Sequence, residues 1–202
     1  MLGAVLAGGL SLRMGTNKAL MSLNDRAETF LAHVWRILGE TVEKRVVATR
    51  TPALYPEYLC VQDACERMGP AGALLTCLRL AKFWDCTSLL AIACDLPLIR
   101  REILLDLIWA HARRSDLRHA TFFVNSCDRL EMLCALYDTS LLPLFSRAVA
   151  RGERSLFRIV PKELQNRISL AKEQENALIN VNEEKDLLLA RSLFSSGVRK
   201  SL

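Results

Sequence analysis

The sequence lacks several features that would assign a protein to a class at once. No apolar run approaches the roughly eighteen residues that a membrane-spanning helix needs, so we expect no transmembrane segment. No basic segment precedes the first apolar run and no cleavage site follows it, which predicts no secretory signal and a cytoplasmic protein. Neither Gly-x-x-x-x-Gly-Lys-Ser/Thr nor Gly-x-Gly-x-x-Gly occurs, and this excludes the two commonest phosphate-binding loops.

Cysteine and charge patterns exclude further classes. The seven cysteines form no Cys-x-x-Cys pair and no zinc-type spacing with histidine, so we expect buried thiols in a reducing compartment. A net charge of +5 over 202 residues favours phosphorylated ligands but is too small for a nucleic-acid-binding surface. We therefore expect a globular protein that binds neither nucleic acid nor membrane.

The most informative stretch is the beginning of the chain. An apolar run over 1–6 leads directly into Gly8 and Gly9, and Arg13 and Lys18 follow at short spacing. A buried strand that ends in glycines can turn sharply, because glycine accepts backbone conformations that other residues avoid. Successive backbone N–H groups then point into one concavity, and the two basic side chains add full positive charges there. This pattern predicts a loop that binds a polyphosphate.

Strands alternate with helices along the rest of the chain, which predicts an α/β fold with a doubly wound, mostly parallel sheet and helices on both faces. The expected strands are 1–6, 45–48, 58–61, 88–93, 121–124, 132–137 and 177–181. The expected helices are 28–38, 70–82, 100–111, 140–151 and 183–194, with Gly152 ending the fourth helix and Asn182 capping the fifth. We expect a single domain over 1–202, with a nucleotide-binding half over about 1–100, an acceptor-binding half over about 101–195 and a polar tail over 196–202.

Two aspartates follow strands of this predicted sheet. Asp63 comes after the third strand and Asp95 after the fourth, so both are expected beside the glycine loop at the carboxyl ends of the strands. A carboxylate beside a triphosphate needs a cation between them, and Mg²⁺ suits such a site because it binds one or two carboxylates together with phosphate oxygens. Asp95 is the preferred metal ligand. The alternative is that either aspartate only stabilises a turn.

Other charged groups receive weaker assignments. Four arginines repeat at helical spacing, which indicates either a solvated face or a second anion site for the acceptor; they are Arg147, Arg151, Arg154 and Arg158. None of the three histidines, at 33, 111 and 119, follows a strand at the predicted crevice. We therefore expect no histidine to act as a general base.

Four motifs in order give the chain a resemblance to the molybdenum cofactor guanylyltransferases. They are Leu-Ala-Gly-Gly-x-Ser-x-Arg-Met-Gly-x-x-Lys over 6–18, the Gly-Pro helix start at 69–70, Cys-Asp-x-Pro over 94–97 and Ile-Asn-Val-Asn over 179–182. The resemblance implies transfer of GMP from GTP to the phosphate of molybdopterin with release of pyrophosphate. It implies that GTP is bound by residues of the first loop and by the two aspartates that follow strands: Leu6, Ala7, Gly8, Gly9, Lys18, Asp63 and Asp95. It also implies Mg²⁺ on Asp95. From their charges we expect Lys18, Arg13 and Asp95 to be catalytic, and we expect a monomer or weak homo-oligomer.

Two positions depart from the family pattern. Ala73 stands where the Gly-Pro motif usually has its last glycine, and Met132 stands where a proline commonly precedes the strand. The second departure lies near the expected acceptor and leaves the identity of the acceptor open. Two alternatives to a guanylyltransferase stay open. One is a related pyrophosphorylase that uses another phosphorylated acceptor or CTP. The other, from a different class, is a regulatory subunit that binds the nucleotide without turning it over.

Overall fold

The computed structural model describes residues 1–8, 17–23, 28–63, 65 and 67–198. Within these residues a single seven-stranded sheet forms the centre of the molecule. Its strands are β1 (Leu2–Leu6), β2 (Lys44–Thr49), β3 (Cys60–Gln62), β4 (Ser88–Ala93), β5 (Ala120–Val124), β6 (Leu130–Asp138) and β7 (Gln165–Ser169). The α-helices of the described residues are α1 (Phe30–Gly39), α2 (Pro70–Phe83), α3 (Arg101–Ala112), α4 (Leu142–Ala150), α5 (Leu156–Ile159) and α6 (Glu184–Val198).

The strand order is β3-β2-β1-β4-β6-β5-β7. Strand β1 pairs in parallel with β2 and β4, β2 pairs in parallel with β3, and β5 pairs in parallel with β7. Strand β6 runs antiparallel to both of its neighbours, β4 and β5. The predicted mostly parallel sheet is therefore confirmed, with one reversed strand. The parallel half brings the carboxyl ends of β1, β2, β3 and β4 to one edge.

Helices pack on both faces of the sheet, as expected for a doubly wound fold. Leu74 of α2 and Phe145 of α4 belong to the apolar cluster on one face, while Leu31 of α1 and Leu104 of α3 belong to the cluster on the other. All six residues of β4 are buried because both of its faces are covered. Among the described residues, no helix combines the length and apolar character needed to cross a membrane.

One predicted strand, 177–181, is wrong. Residues Lys172–Leu178 form a 3-10 helix, and the chain then crosses the end of β4, where the backbone N–H of Val181 donates to the carbonyl of Asp95 at 2.9 Å. Ala177 and Leu178 are buried in the core, and this explains their apolar character. Their burial comes from packing and not from pairing with a neighbouring strand.

Two elements were not predicted from the sequence, β7 and α5. Strand β7 has the sequence Gln-Asn-Arg-Ile-Ser, which contains one aliphatic residue and no alternating apolar pattern. It lies at the edge of the sheet, and its partner β5 supplies the regular pairing from Ala120 with Gln165 to Val124 with Ser169. An edge strand of this kind depends on its neighbour, so its own sequence carries little signal.

The helix ends confirm one prediction and correct another. Gly152 follows α4 with φ of +76°, the left-handed conformation that glycine supplies at a helix end. Asn182 does not cap α6 with its side chain. The carboxylate of Asp186 accepts the backbone N–H groups of Asn182 and Glu183 at 2.9 and 2.8 Å, because it lies in the first turn and can reach back. The side chain of Asn182 is therefore available for another contact.

The cysteines are all free thiols, as predicted. Cys77, Cys86 and Cys134 are buried, whereas Cys127 is exposed in the turn between β5 and β6. The expectation of burial is wrong for Cys127, because its short side chain lies in a surface turn and contributes to no core cluster.

Candidate active site

The carboxyl edge of the parallel strands brings the predicted site segments together. The backbone N–H of Ala7 donates to the carbonyl of Ala48 at the end of β2, at 2.8 Å. On the other side of β1, the N–H of Cys94 donates to the carbonyl of Leu6 at 3.1 Å. Asp95 therefore begins its turn directly beside the residues that leave β1. The described start of the glycine loop therefore lies beside Asp95, and the position of the rest of the loop stays a prediction.

Gly8 is the last described residue of the loop. Among the described residues, a Cβ at this position would meet nothing within 4 Å, and the backbone of Gly8 does not have a positive φ. Gly8 therefore does not use the left-handed conformation that is open to glycine, and its missing side chain leaves space among the described residues. The predicted site residues Gly9 and Arg13 lie outside the described residues.

Lys18 starts a short 3-10 turn, Lys18–Leu20, that follows the loop. Its ammonium group donates to the side-chain oxygen of Asn182 at 2.8 Å, a contact that spans 164 positions of the sequence. The positive charge of Lys18 also acts on Asp95, where it opposes the effect of burial on the pKa. Lys18 therefore lies at the same edge as Asp95, as predicted, and Asn182 lies there with it.

Asp95 has a carboxylate oxygen that the described protein leaves unsatisfied. Its Oδ1 is buried and has no hydrogen-bond partner among the described residues. Burial raises the pKa of Asp95, and the charge of Lys18 lowers it in part. A buried oxygen without a partner costs free energy unless a ligand supplies the missing interaction. A cation or a hydrogen-bond donor of a ligand fits this position.

The oxygen ligands at this edge suit a cation that takes most of its ligands from a bound phosphate compound and few from the protein. The described residues contain no group of three or more histidine, cysteine, aspartate or glutamate side chains that could hold a metal by themselves. Mg²⁺ needs only one or two protein carboxylates when phosphate oxygens and water complete its six ligands. Asp95, with its unsatisfied oxygen, fits this requirement.

Asp63 is held by the protein itself, in contrast to Asp95. Its Oδ1 accepts the backbone N–H of Cys65 at 3.0 Å, and a Cβ added at Gly72 of α2 would lie 3.2 Å from the same oxygen. Burial raises the pKa of Asp63, while the Cys65 N–H and the charge of Arg50 lower it. Asp63 ends β3 at the predicted edge and also links that end to the start of α2.

Glu131 is a carboxylate at this edge that the sequence did not reveal. Because β6 runs antiparallel to β4 and pairs Cys134 with Ile92, the first residues of β6 lie near the end of β4. Burial raises the pKa of Glu131; the charge of Arg129 lowers it and that of Asp95 raises it again. The predicted strand began at 132, so Glu131 fell outside it. No local pattern identified this residue.

Met132, the position that departs from the family pattern, lies where β6 leaves regular pairing. Phe122 pairs with Ala135 and Phe123 with Glu131, so residues 132–134 have no partner in β5. The hydroxyl of Tyr137 donates to the carbonyl of Met132 at 2.6 Å and holds the bulge from within. Met132 thus belongs to an irregular segment at the crevice end of β6.

Arg158 and the three histidines have protein partners of their own. Of the four arginines, Arg158 forms a pair with Glu153 at 3.5 Å, and the acceptor role of all four stays a prediction. His111 is buried against Asp138 and His119 contacts the same carboxylate, at the end of the sheet opposite Asp95. His33 contacts the carbonyl oxygen of Ile99. His111 and His119 therefore lie at the other end of β4 from Asp95, and the expectation that no histidine acts as a general base stays a prediction.

Comparison with known proteins gives a consistent result. Residues 3–168 match the model of the MobA-like NTP transferase domain. A protein of Opitutus terrae named "probable molybdenum cofactor guanylyltransferase" is 30% identical over 191 residues, 91% of each chain. A protein of Mycobacterium marinum with the same name is 31% identical over 188 residues, 92% of this chain and 90% of its own.

Solved structures share the fold at lower identity. The molybdopterin-guanine dinucleotide biosynthesis protein A of Archaeoglobus fulgidus superposes with a TM-score of 0.78 at 21% identity, covering 97% of this chain and 100% of its own. A 4-diphosphocytidyl-2C-methyl-D-erythritol synthase of Anaerococcus prevotii superposes with a TM-score of 0.67 at 10% identity, covering 96% of this chain and 95% of its own. At these identities the likeness concerns the arrangement of strands and helices.

Proposed function

The chain belongs to the MobA-like NTP transferase family, and from this we propose that it is a molybdenum cofactor guanylyltransferase. It transfers GMP from GTP to the phosphate of molybdopterin and releases pyrophosphate. The observation that carries the proposal is the buried, unsatisfied oxygen of Asp95 beside the end of β1, at the edge where Lys18 also lies. A metal-bound triphosphate requires a positive side chain and a carboxylate that can bind the metal, and Lys18 and Asp95 supply these two groups at one crevice.

The residues at the end of β1 bind the nucleotide in this proposal. Leu6, Ala7, Gly8 and Gly9 supply backbone groups, and Gly8 leaves the open space that a base or phosphate can enter. Lys18 and Arg13 neutralise the triphosphate and the pyrophosphate leaving group. The nucleotide occupies the half of the chain over about 1–100, and the acceptor occupies the half over about 101–195.

The two aspartates have different roles. Asp95 would hold Mg²⁺, which when bound neutralises charge on the phosphates during displacement. Asp63 keeps the end of β3 and the start of α2 in place beside the nucleotide, since its carboxylate already accepts the Cys65 N–H. Loss of Asp95 therefore removes a ligand, and loss of Asp63 loosens a wall of the site.

The chemistry needs no protein base. The second pKa of a phosphate monoester is about 6, so the attacking oxygen of the acceptor is already ionised at neutral pH. That oxygen forms a bond to the α-phosphorus of GTP while the bond from the α-phosphorus to the bridging oxygen breaks. The charge of the leaving pyrophosphate is met by Lys18 and Arg13. The chain's contribution is alignment and charge.

An assay of nucleotidyl transfer tests the proposal. The purified protein is incubated with Mg²⁺, GTP and molybdopterin, pyrophosphate release is followed, and the dinucleotide product is identified by mass spectrometry. We expect pyrophosphate release that depends on the acceptor and is faster with GTP than with CTP. Release with CTP or with another phosphorylated acceptor alone would favour a related pyrophosphorylase. Tight GTP binding without any release would favour a regulatory subunit.

A further inference from the structure

Tyr55 lies outside every motif of the sequence, yet its hydroxyl contacts the residue that precedes Lys18. Tyr55 follows a 3-10 turn in the connection between β2 and β3, and only 1% of its surface is exposed. The side-chain amide of Asn17 donates to the Tyr55 hydroxyl at 2.8 Å. A buried tyrosine between β2 and β3 therefore holds the side chain of Asn17, the residue before Lys18.

Asn17 uses both ends of its amide. While its nitrogen donates to Tyr55, its Oδ1 accepts the backbone N–H of Ala19 at 3.1 Å and so caps the turn Lys18–Leu20. Ala19 is itself 2% exposed, so the turn is fixed from the inside by packing and from its start by Asn17. The direction in which Lys18 leaves the backbone is therefore set by a side chain that Tyr55 orients.

The far end of Lys18 is also constrained. Its ammonium group reaches Asn182 at 2.8 Å, so the lysine is fixed at both ends. Tyr55 in turn is anchored, because the thiol of Cys60 contacts its carbonyl oxygen at 3.6 Å. Burial raises the pKa of the Tyr55 hydroxyl, which the Asn17 contact lowers and the thiols of Cys94 and Cys60 raise. Tyr55 belongs to the apolar cluster against which Cys94, the residue before Asp95, also packs.

We propose that Tyr55 is a positioning residue for Lys18, acting through Asn17 and the turn that Asn17 caps. The role rests on the proposed function, in which Lys18 meets the phosphates of GTP. It differs from simple core packing, because the ring of phenylalanine would fill the same volume while the contact to Asn17 would be lost. Removal of the hydroxyl alone therefore separates the two explanations.

Chemical labelling tests the positioning without any substrate. The variant Tyr55→Phe is compared with the parent and with Tyr58→Phe, a matched control whose hydroxyl makes no hydrogen bond among the described residues and whose ring packs edge-on against Trp35. Acetylation of each lysine is followed by mass spectrometry. We expect Lys18 to be labelled about fivefold faster in Tyr55→Phe, the factor that corresponds to one hydrogen bond.

Exposed Lys44 serves as an internal reference, because its labelling rate should stay unchanged in all three proteins. A rise at every lysine would indicate general loosening of the fold, and an unchanged rate at Lys18 would mean that Tyr55 does not orient it. Either result would overturn the proposal. Because this measurement contains no nucleotide, it remains decisive even if the protein proves to have another substrate.

A double-mutant cycle tests the link to the nucleotide. Affinity for GTP with Mg²⁺ is measured by calorimetry for the parent, Tyr55→Phe, Lys18→Ala and the double variant. We expect Tyr55→Phe to weaken binding about fivefold in the parent and less than about twofold in Lys18→Ala, because its effect passes through the lysine. Equal weakening in both backgrounds would contradict the positioning role. A parent without affinity for GTP would instead contradict the proposed function.

Discussion

Replacement of Asp95 by asparagine should separate catalysis from stability. The amide has nearly the shape of the carboxylate, and Oδ1 of Asp95 has no hydrogen-bond partner among the described residues that the change could remove. What the variant loses is the negative charge and the ligand for a cation. Loss of metal-based charge stabilisation typically costs about a hundredfold or more in rate, so we expect kcat/KM of Asp95→Asn to fall by at least that factor.

The stability of the nucleotide-free protein should change in the opposite direction. Because burial raises the pKa of Asp95, the ionised carboxylate is less stable in the folded protein than in water, and Lys18 compensates for this only in part. An unsatisfied buried polar group costs about 1–3 kcal/mol, and a neutral amide costs less than a charge. We expect the free energy of unfolding to rise by about 1 kcal/mol, which raises Tm by about 2–4 °C in a domain of this size.

Two measurements check this prediction, with Asp63→Asn as the matched control. Pyrophosphate release is measured with Mg²⁺, GTP and acceptor, and thermal unfolding is followed by circular dichroism without nucleotide. An amide oxygen at position 63 can still accept the Cys65 N–H, so Asp63→Asn should weaken activity without abolishing it. The reasoning is refuted if Asp95→Asn keeps Mg²⁺-dependent activity within about tenfold of the parent, or if its activity and its stability both fall.

Three further predictions concern the loop, the histidines and the far end of the sheet. Gly8→Ala should leave Tm within about 2 °C, because the new methyl meets no atom of the described residues, yet it should weaken GTP binding about tenfold by calorimetry. Unchanged affinity would contradict a ligand at Gly8. Replacing His33, His111 or His119 by alanine should keep kcat/KM within about tenfold in each variant that folds. The pH profile of kcat/KM should rise through about 6 and then level off, and an acid limb whose pKa moves with the enzyme variant would indicate a protein base. Asp138→Asn should lower the free energy of unfolding by about 2 kcal/mol at pH 7 in urea titrations. The difference from the parent should shrink as the pH falls below 3.8, because the parent then loses the charge of Asp138. A difference that does not change with pH would contradict a stabilising role of that charge.

The sign of the Asp138 prediction follows from its neighbours. Burial alone would raise the pKa of Asp138, but hydrogen bonds and charges of His111 and Arg114 outweigh it, so this pKa lies below the usual 3.8. A carboxyl group whose pKa is lowered by folding stabilises the folded state above the unfolded pKa. That stabilisation is lost as the pH falls through the lower folded value.

Local pattern was sufficient for most of the elements. The strand 88–93 and its end at Asp95 could be predicted because an apolar run closed by proline has few other solutions. Helix α1 was predicted from apolar residues at 30, 31, 34, 37 and 38, and all five are buried. The placement of Asp63, Asp95 and the end of β1 at one edge followed from the rule that parallel strands share one carboxyl edge.

The wrong elements show where local pattern fails. The segment 177–181 has the composition of a strand, but its burial comes from crossing the end of β4. There Val181 contacts Asp95, which lies 86 positions earlier in the chain. Strand β7 has almost no strand character and exists because β5 offers it a paired edge. In both cases a distant partner decided the backbone conformation, and a short sequence window contains no information about that partner.

The same division holds within the candidate site. The sequence by itself determined the residue types and their order: a glycine loop, a lysine and an aspartate after a buried strand, which together favour phosphate chemistry. Only the tertiary structure decided which side chains meet there, since Lys18 contacts Asn182 and Tyr55 orients Asn17 across the fold. The physical reason is that hydrophobic periodicity and turn chemistry act between near neighbours, whereas these contacts form only after the sheet has brought remote segments to one edge.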